Sequence, residues 1–93
     1  MTAPPPRAYA VEFTKAAAKA LVQLPAKVQR QVGATIDELA QSPRPQACTK
    51  LKGEENLWRV YSGNYRVIYS IEDRKVLILI VTIGHRKDIY RNL

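Results

Sequence analysis

The chain has 93 residues, 46% of them hydrophobic, and carries fifteen Lys and Arg against eight Asp and Glu, a net charge of +7. That length predicts one domain able to bury roughly 60–65% of its unfolded surface without staples, and the charge favours polyanionic partners such as nucleic acid or ribosome. One cysteine, Cys48, and one histidine, His85, exclude an internal disulfide and a Cys/His zinc site and point to a reducing cytoplasm, with Cys48 a passive thiol.

Met1 to Pro6 holds three consecutive prolines and reads as a disordered tail ahead of a domain at 7–93. It lacks the apolar core of a secretory signal. The apolar run Val76 to Ile83 is far shorter than the ~20 residues of a membrane helix. A soluble protein with no membrane partner is expected. Residues 7–13 alternate, placing Tyr9, Val11 and Phe13 on one face of a first strand. Thr14 is a helix cap, and the alanine-rich stretch from Lys15 to about Gln23 is the helix it opens. Leu24-Pro25 breaks that helix, with Pro25 placed in the first turn of a second. Val28, Val32, Ile36 and Leu39 mark the apolar stripe of this second helix, and Gln41-Ser42-Pro43-Arg44-Pro45 ends it. Residues 46–56 read as loop and contain Lys50-Leu51-Lys52-Gly53. Three strands follow, at roughly 57–61, 65–71 and 75–83, separated by Ser62-Gly63-Asn64 and Glu72-Asp73-Arg74. The order β-α-α-β-β-β predicts an α+β fold. In it the N-terminal strand joins a three-stranded antiparallel meander as a four-stranded antiparallel sheet, with the helical hairpin on one face.

Arginines and tyrosines recur through these strands: Arg59, Tyr61, Tyr65, Arg66, Tyr69, Arg86, Tyr90 and Arg91. Tyrosine suits a strand, but arginine has no packing reason to repeat there. A two-residue Gly63-Asn64 loop, glycine first as a type II′ turn prefers, sets Ser62 against Tyr65, Tyr61 against Arg66 and Val60 against Val67. One face then holds Trp58, Val60, Tyr65, Val67, Tyr69 and Ile71, the core under the helices. The other holds Leu57, Arg59, Tyr61, Arg66 and Ile68. These arginines either solvate the open face of a one-sided sheet or hold phosphate. The second hairpin stays open. A loop of two or four residues around Asp73 puts His85 on Arg66's side, and one of three or five puts Thr82, Gly84 and Arg86 there.

No carboxylate cluster has metal-ligand spacing and no glycine-rich loop cradles phosphate. Metal-free RNA cleavage needs less: the substrate's own 2′-hydroxyl attacks the adjacent phosphate, while the protein aligns the atoms and neutralises charge. Arginines can neutralise. Tyr90, His85, Lys50, Lys52 and Lys87 are the candidates for moving protons.

The run Leu57-Trp-Arg-Val-Tyr-Ser-Gly-Asn-Tyr-Arg-Val-Ile-Tyr, the later Ile83-Gly-His-Arg-Lys-Asp-Ile-Tyr-Arg, and Lys50-Leu51-Lys52-Gly53 resemble bacterial toxins of the RelE/ParE superfamily, tilting toward RelE-like members. The resemblance covers nearly the whole chain after the tail. It implies the toxin of a toxin–antitoxin pair: a ribosome-dependent endoribonuclease that cuts messenger RNA in the A site of the 70S ribosome. Such a toxin uses no metal and no cofactor, acts in the cytoplasm and is held inactive by a cognate antitoxin protein. By position it implies that Arg66 binds the scissile phosphate, that Arg86 stabilises the transition state and that Tyr90 accepts a proton or stacks on a base. Arg59, Lys52, Lys50, Tyr61 and His85 would be RNA or phosphate contacts. Many relatives place a second basic residue where Tyr61 stands. The alternative within the superfamily is a ParE-type poison of DNA gyrase, acting by protein contact without nuclease activity.

Overall fold

Thr14 both closes the first strand and opens the first helix. In the computed structural model, which describes residues 8–53 and 55–87, strand β1 spans Ala10–Phe13 and helix α1 spans Lys15–Gln23. Between them Thr14 is extended, and its side-chain oxygen accepts the Ala17 N–H. That bond satisfies one of the donors a helix start leaves unpaired. Helix α2, Ala26–Gln41, begins one residue later than expected, so Pro25 is its N-cap and gives its carbonyl to Gln29 N at 2.8 Å. Strands β2 (Thr49–Lys50), β3 (Trp58–Ser62), β4 (Tyr65–Glu72) and β5 (Leu77–His85) follow. The expected tail, residues 1–6, lies outside the described residues, as do Tyr90 and Arg91.

The α+β class and the helices on one face hold, with two corrections to the sheet. It has five strands in the order β1-β5-β4-β3-β2, because residues 46–56 are not all loop. Thr49 and Lys50 pair antiparallel with Arg59 and Trp58, and Leu51 N donates to Leu57 O at 2.9 Å, covering the open edge of β3. The sheet is also mixed rather than antiparallel. β1 lies parallel to β5, with Ala10 against Leu77 and Phe13 against Ile80. The chain crosses over through both helices and returns at the far edge, so β1 takes its place beside the last strand rather than the next one.

One buried cluster joins the two layers. Ala17, Val32, Ile36 and Leu39 descend from the helices onto Val60, Val67, Tyr69, Ile71, Ile78, Ile80 and Ile83 of the sheet. Each valine, isoleucine and leucine among them contributes about 1.5–3 kcal/mol on leaving water. Tyr69, fully buried, donates its hydroxyl to Pro43 O at 2.7 Å. Burial, with Cys48 nearby, pushes that hydroxyl well above the usual tyrosine range.

The β3–β4 turn is the expected two-residue loop, pairing Ser62 with Tyr65, Tyr61 with Arg66 and Val60 with Val67. Gly63 sits at φ +61° with Gln31 packed over it, and Val76 is the one non-glycine with positive φ among the described residues. Positive φ at the first loop position alone is the mark of a type II′ turn. The β4–β5 connection is a single 3-10 turn, Asp73–Lys75, after which Val76 adopts a left-handed conformation. β5 therefore starts at Leu77 and extends to His85, two residues later at each end than expected.

Asp73 clamps this turn to the rest of the molecule. Its carboxylate accepts the Tyr9 hydroxyl at 2.8 Å and pairs with Arg44 Nη2 at 2.9 Å. The Arg44 bond, then the Tyr9 bond, holds the carboxyl below the usual aspartate range. A carboxyl lowered in the folded state stabilises above its unfolded pKa of ~3.9 and loses that contribution as pH falls through the folded value. Asp73→Asn is therefore less stable than wild type at pH 7, and the difference fades as pH drops below about 4. Urea unfolding of both proteins across pH 7 to 2.5 reads this directly.

Candidate functional site

Strand register alone puts Arg59, Tyr61 and Arg66 on the face turned away from the helices, since Arg59 opposes Ile68 and Tyr61 opposes Arg66. The last strand is less obvious. Glu72 opposes Leu77, a four-residue loop that on strict alternation would carry His85 to Arg66's side. Instead Ile68 opposes Thr82 while Tyr69 opposes Ile80. Val81 is an extra residue, a β-bulge that flips every side chain after it. Arg66 then faces Gly84 and Tyr65 faces His85. Arg86, two residues past Gly84, rises on the arginine side, its backbone N–H tied to Asn64 O at 2.9 Å.

Tyr61 is the centre of what results. The guanidinium carbons of Arg59, Arg66 and Arg86 lie 5.4, 5.2 and 5.2 Å from its ring centroid. Each contact lies within the range of a cation–π attraction, ~0.5–1 kcal/mol at an exposed site. Arg66 Nη2 also donates to the Tyr61 hydroxyl at 3.1 Å. Arg66 is only 2% exposed while Tyr61 is 39% exposed. A buried guanidinium does not solvate an open sheet face. Of the two readings of these arginines, burial favours a built cationic site.

Like charges gathered on one ring repel, and an anion among them relieves that repulsion through charge-assisted hydrogen bonds. Arg59 offers such a bond: its Nε is buried and has no hydrogen-bond partner among the described residues. A planar group with five fixed donors suits phosphate oxygens. No carboxylate pairs with Arg59 or Arg86 among the described residues, where the one ion pair is Arg44 with Asp73. The arrangement gathers cationic donors whose chemistry suits an anion.

The other expected residues are placed differently. Lys50 opposes Trp58, on the helix side of the sheet, and its Nζ lies 5.9 Å from the Trp58 ring. Arg44 covers the same indole at 5.3 Å. Lys52 is exposed in the turn after β2. His85 stacks edge-on against Tyr65, with centroids 5.4 Å apart at 76°, and its Nδ1 accepts Lys87 N at 3.3 Å. The register thus turns His85 away from Arg66. Tyr90 lies outside the described residues. What sequence reasoning missed was the bulge, although a signal was present. Strict alternation from Ile78 and Ile80 would send Thr82 and Gly84 into the core, whereas the bulge sends Ile83, which is buried.

Residues 11–90 match the family described as the ParE toxin of type II toxin–antitoxin systems, parDE. The mRNA interferase toxin RelE of Escherichia coli strain K12 is 30% identical over 82 residues, 86% of this chain and 85% of that protein. Among solved structures, the archaeal RelE–RelB complex of Pyrococcus horikoshii OT3 is similar with 33% identity and a TM-score of 0.74, covering 85% of this chain and 96% of that one. The toxin–antitoxin complex RelBE2 of Mycobacterium tuberculosis is similar with 27% identity and a TM-score of 0.75, covering 85% and 99%. With a matching sequence over most of its length and a matching fold beneath it, this chain belongs to the RelE/ParE superfamily of type II toxins.

Proposed function

We propose that this toxin is a ribosome-dependent, metal-independent endoribonuclease that cuts messenger RNA in the cytoplasm. The observation that carries the reading is the convergence of Arg59, Arg66 and Arg86 on Tyr61, with Arg66 buried. The substrate's 2′-hydroxyl forms a new bond to the adjacent phosphorus, and the bond to the 5′-oxygen breaks as that oxygen takes a proton. Negative charge builds on the phosphate oxygens in between. Arg66, fixed by burial and by Tyr61, holds the phosphate before reaction. Arg86, at the exposed end of β5, meets the charge that develops. Arg59 supplies an Nε donor, without a hydrogen-bond partner among the described residues, at the edge of the same group. Tyr90, by the resemblance, takes the 2′ proton, and Lys52 is an RNA contact from the neighbouring turn. Lys50 and His85 serve as outer contacts, since their register places them on the other face.

The site surrounds the exposed ring of Tyr61, so it does not by itself enforce in-line geometry on a flexible strand. The ribosomal A site supplies that alignment. The cognate partner is an antitoxin whose acidic segment covers this basic surface, a reading supported by relatives whose structures are RelE–RelB complexes. Mapping transcript ends in a reconstituted translation reaction tests the function. New 5′-hydroxyl ends within coding frames are expected with ribosomes and few without them. Efficient cutting of naked messenger would contradict the ribosome requirement.

A second reading follows from the family match itself, which is to the ParE description. A gyrase poison acting through protein contact would leave every transcript intact in the same reaction.

A further inference from the structure

We infer that Thr14, far from the arginines in sequence and on the helix side of the site, is the positioning residue that aims Arg86. Its hydroxyl proton goes to Val81 O at 2.6 Å, and its oxygen accepts Ala17 N at 3.1 Å. Its backbone N–H goes to Ile80 O at 3.0 Å. In a regular strand successive carbonyls point to opposite edges, so two in a row reaching one residue mark a local departure from the pleat. That departure is the bulge, since Val81 is the residue left without a partner on β4.

The location has a physical cause. β1 pairs with β5 only as far as Phe13 against Ile80. Beyond that point the chain turns into α1, and β5 loses its neighbour on that edge. A carbonyl there needs another donor. The Thr14 side chain supplies it while its lone pair caps the helix, so one hydroxyl joins the helix start to the extra residue. Everything downstream depends on that residue. With Val81 inserted, Ile83 enters the core and Arg86 joins Arg59 and Arg66 at Tyr61. A regular strand would bring His85 to Tyr61's side and carry Arg86 to Tyr65's.

The inference rests on the proposed role of Arg86, and the test separates the two. Thr14→Asp keeps the cap acceptor and loses the proton for Val81. Thr14→Ser keeps both. Two readouts are taken on the folded, full-length protein: nuclear Overhauser contacts between the Arg86 side chain and the Tyr61 ring, and cleavage of ribosome-bound messenger. Thr14→Asp is expected to retain α1 but lose the Arg86–Tyr61 contacts. Its kcat should fall at least ~10-fold with KM nearly unchanged, because Arg59 and Arg66 still hold the RNA. Thr14→Ser should match wild type in both. If Thr14→Asp does not fold, Thr14→Gly, a residue helix N-caps tolerate, is read the same way. Retained contacts and turnover without the hydroxyl overturn the inference, as does an equal loss in Thr14→Ser. A wild-type protein that leaves RNA whole overturns the nuclease reading instead, while the Overhauser contacts still decide the role of Thr14.

Discussion

Arg86→Ala lowers cleavage of ribosome-bound messenger by about 10²–10³-fold, the usual effect of removing one donor aimed at transition-state charge. Stability should change by only about 0.5 kcal/mol, because Arg86 is exposed and its structural bond, N–H to Asn64 O, belongs to the backbone. KM should move little, since the phosphate in the ground state is held by other residues. Arg86→Lys should recover part of the rate, as it restores the charge without the planar fork. Single-turnover cleavage beside a thermal melt checks all of this. A rate within threefold of wild type would remove Arg86 from the chemistry.

Arg66 behaves differently because it is buried. Arg66→Ala should also cost 10²-fold or more in cleavage, but it leaves a cavity beneath Tyr61 and takes away the donor to the Tyr61 hydroxyl. Against this, it relieves the desolvation of a cation. Cavity terms for large side chains cut to alanine commonly reach 2–5 kcal/mol, so the net loss expected is about 1–2 kcal/mol. In a protein of this size that lowers Tm by very roughly 5–15 °C. Arg66→Met separates the two contributions. It refills the volume without the charge, so it should restore most of the stability and none of the activity. A methionine variant that cuts RNA well would show that Arg66 is there for packing.

How far these sites could be read from the chain depended on local chemistry. Gly63-Asn64 permits one tight turn, so the β3–β4 register, and with it the pairing of Tyr61 and Arg66, followed from two residues. The limits of α1 followed from Thr14, the alanine run and Pro25. The β4–β5 register did not follow, because Val76 to Val81 is apolar throughout and alternation carries no phase there. Even and odd loop lengths stayed equally open, and although the loop proved even, one inserted residue turns Arg86 rather than His85 to that side. Nor could periodicity show that Thr49 and Lys50 form an edge strand two residues long, which turns Lys50 toward Trp58. The parallel seat of β1 beside β5 is likewise a long-range outcome, set by where the two helices deliver the chain. Arg44 drew no notice in the loop, yet it clamps Asp73 and covers Trp58.

On the proposed function, the guanidinium groups of Arg59 on β3, Arg66 on β4 and Arg86 just past β5 hold a single phosphodiester linkage. The most direct measurement is a double-mutant cycle on ribosome-bound messenger carrying a 2′-O-methyl block at the cleavage nucleotide, comparing a normal with an uncharged methylphosphonate linkage. In wild type the uncharged linkage should weaken toxin binding about 10-fold or more, and in Arg66→Ala that penalty should shrink several-fold without vanishing, because Arg59 and Arg86 still face the same linkage. Independent, additive losses would mean that this linkage and this arginine never meet.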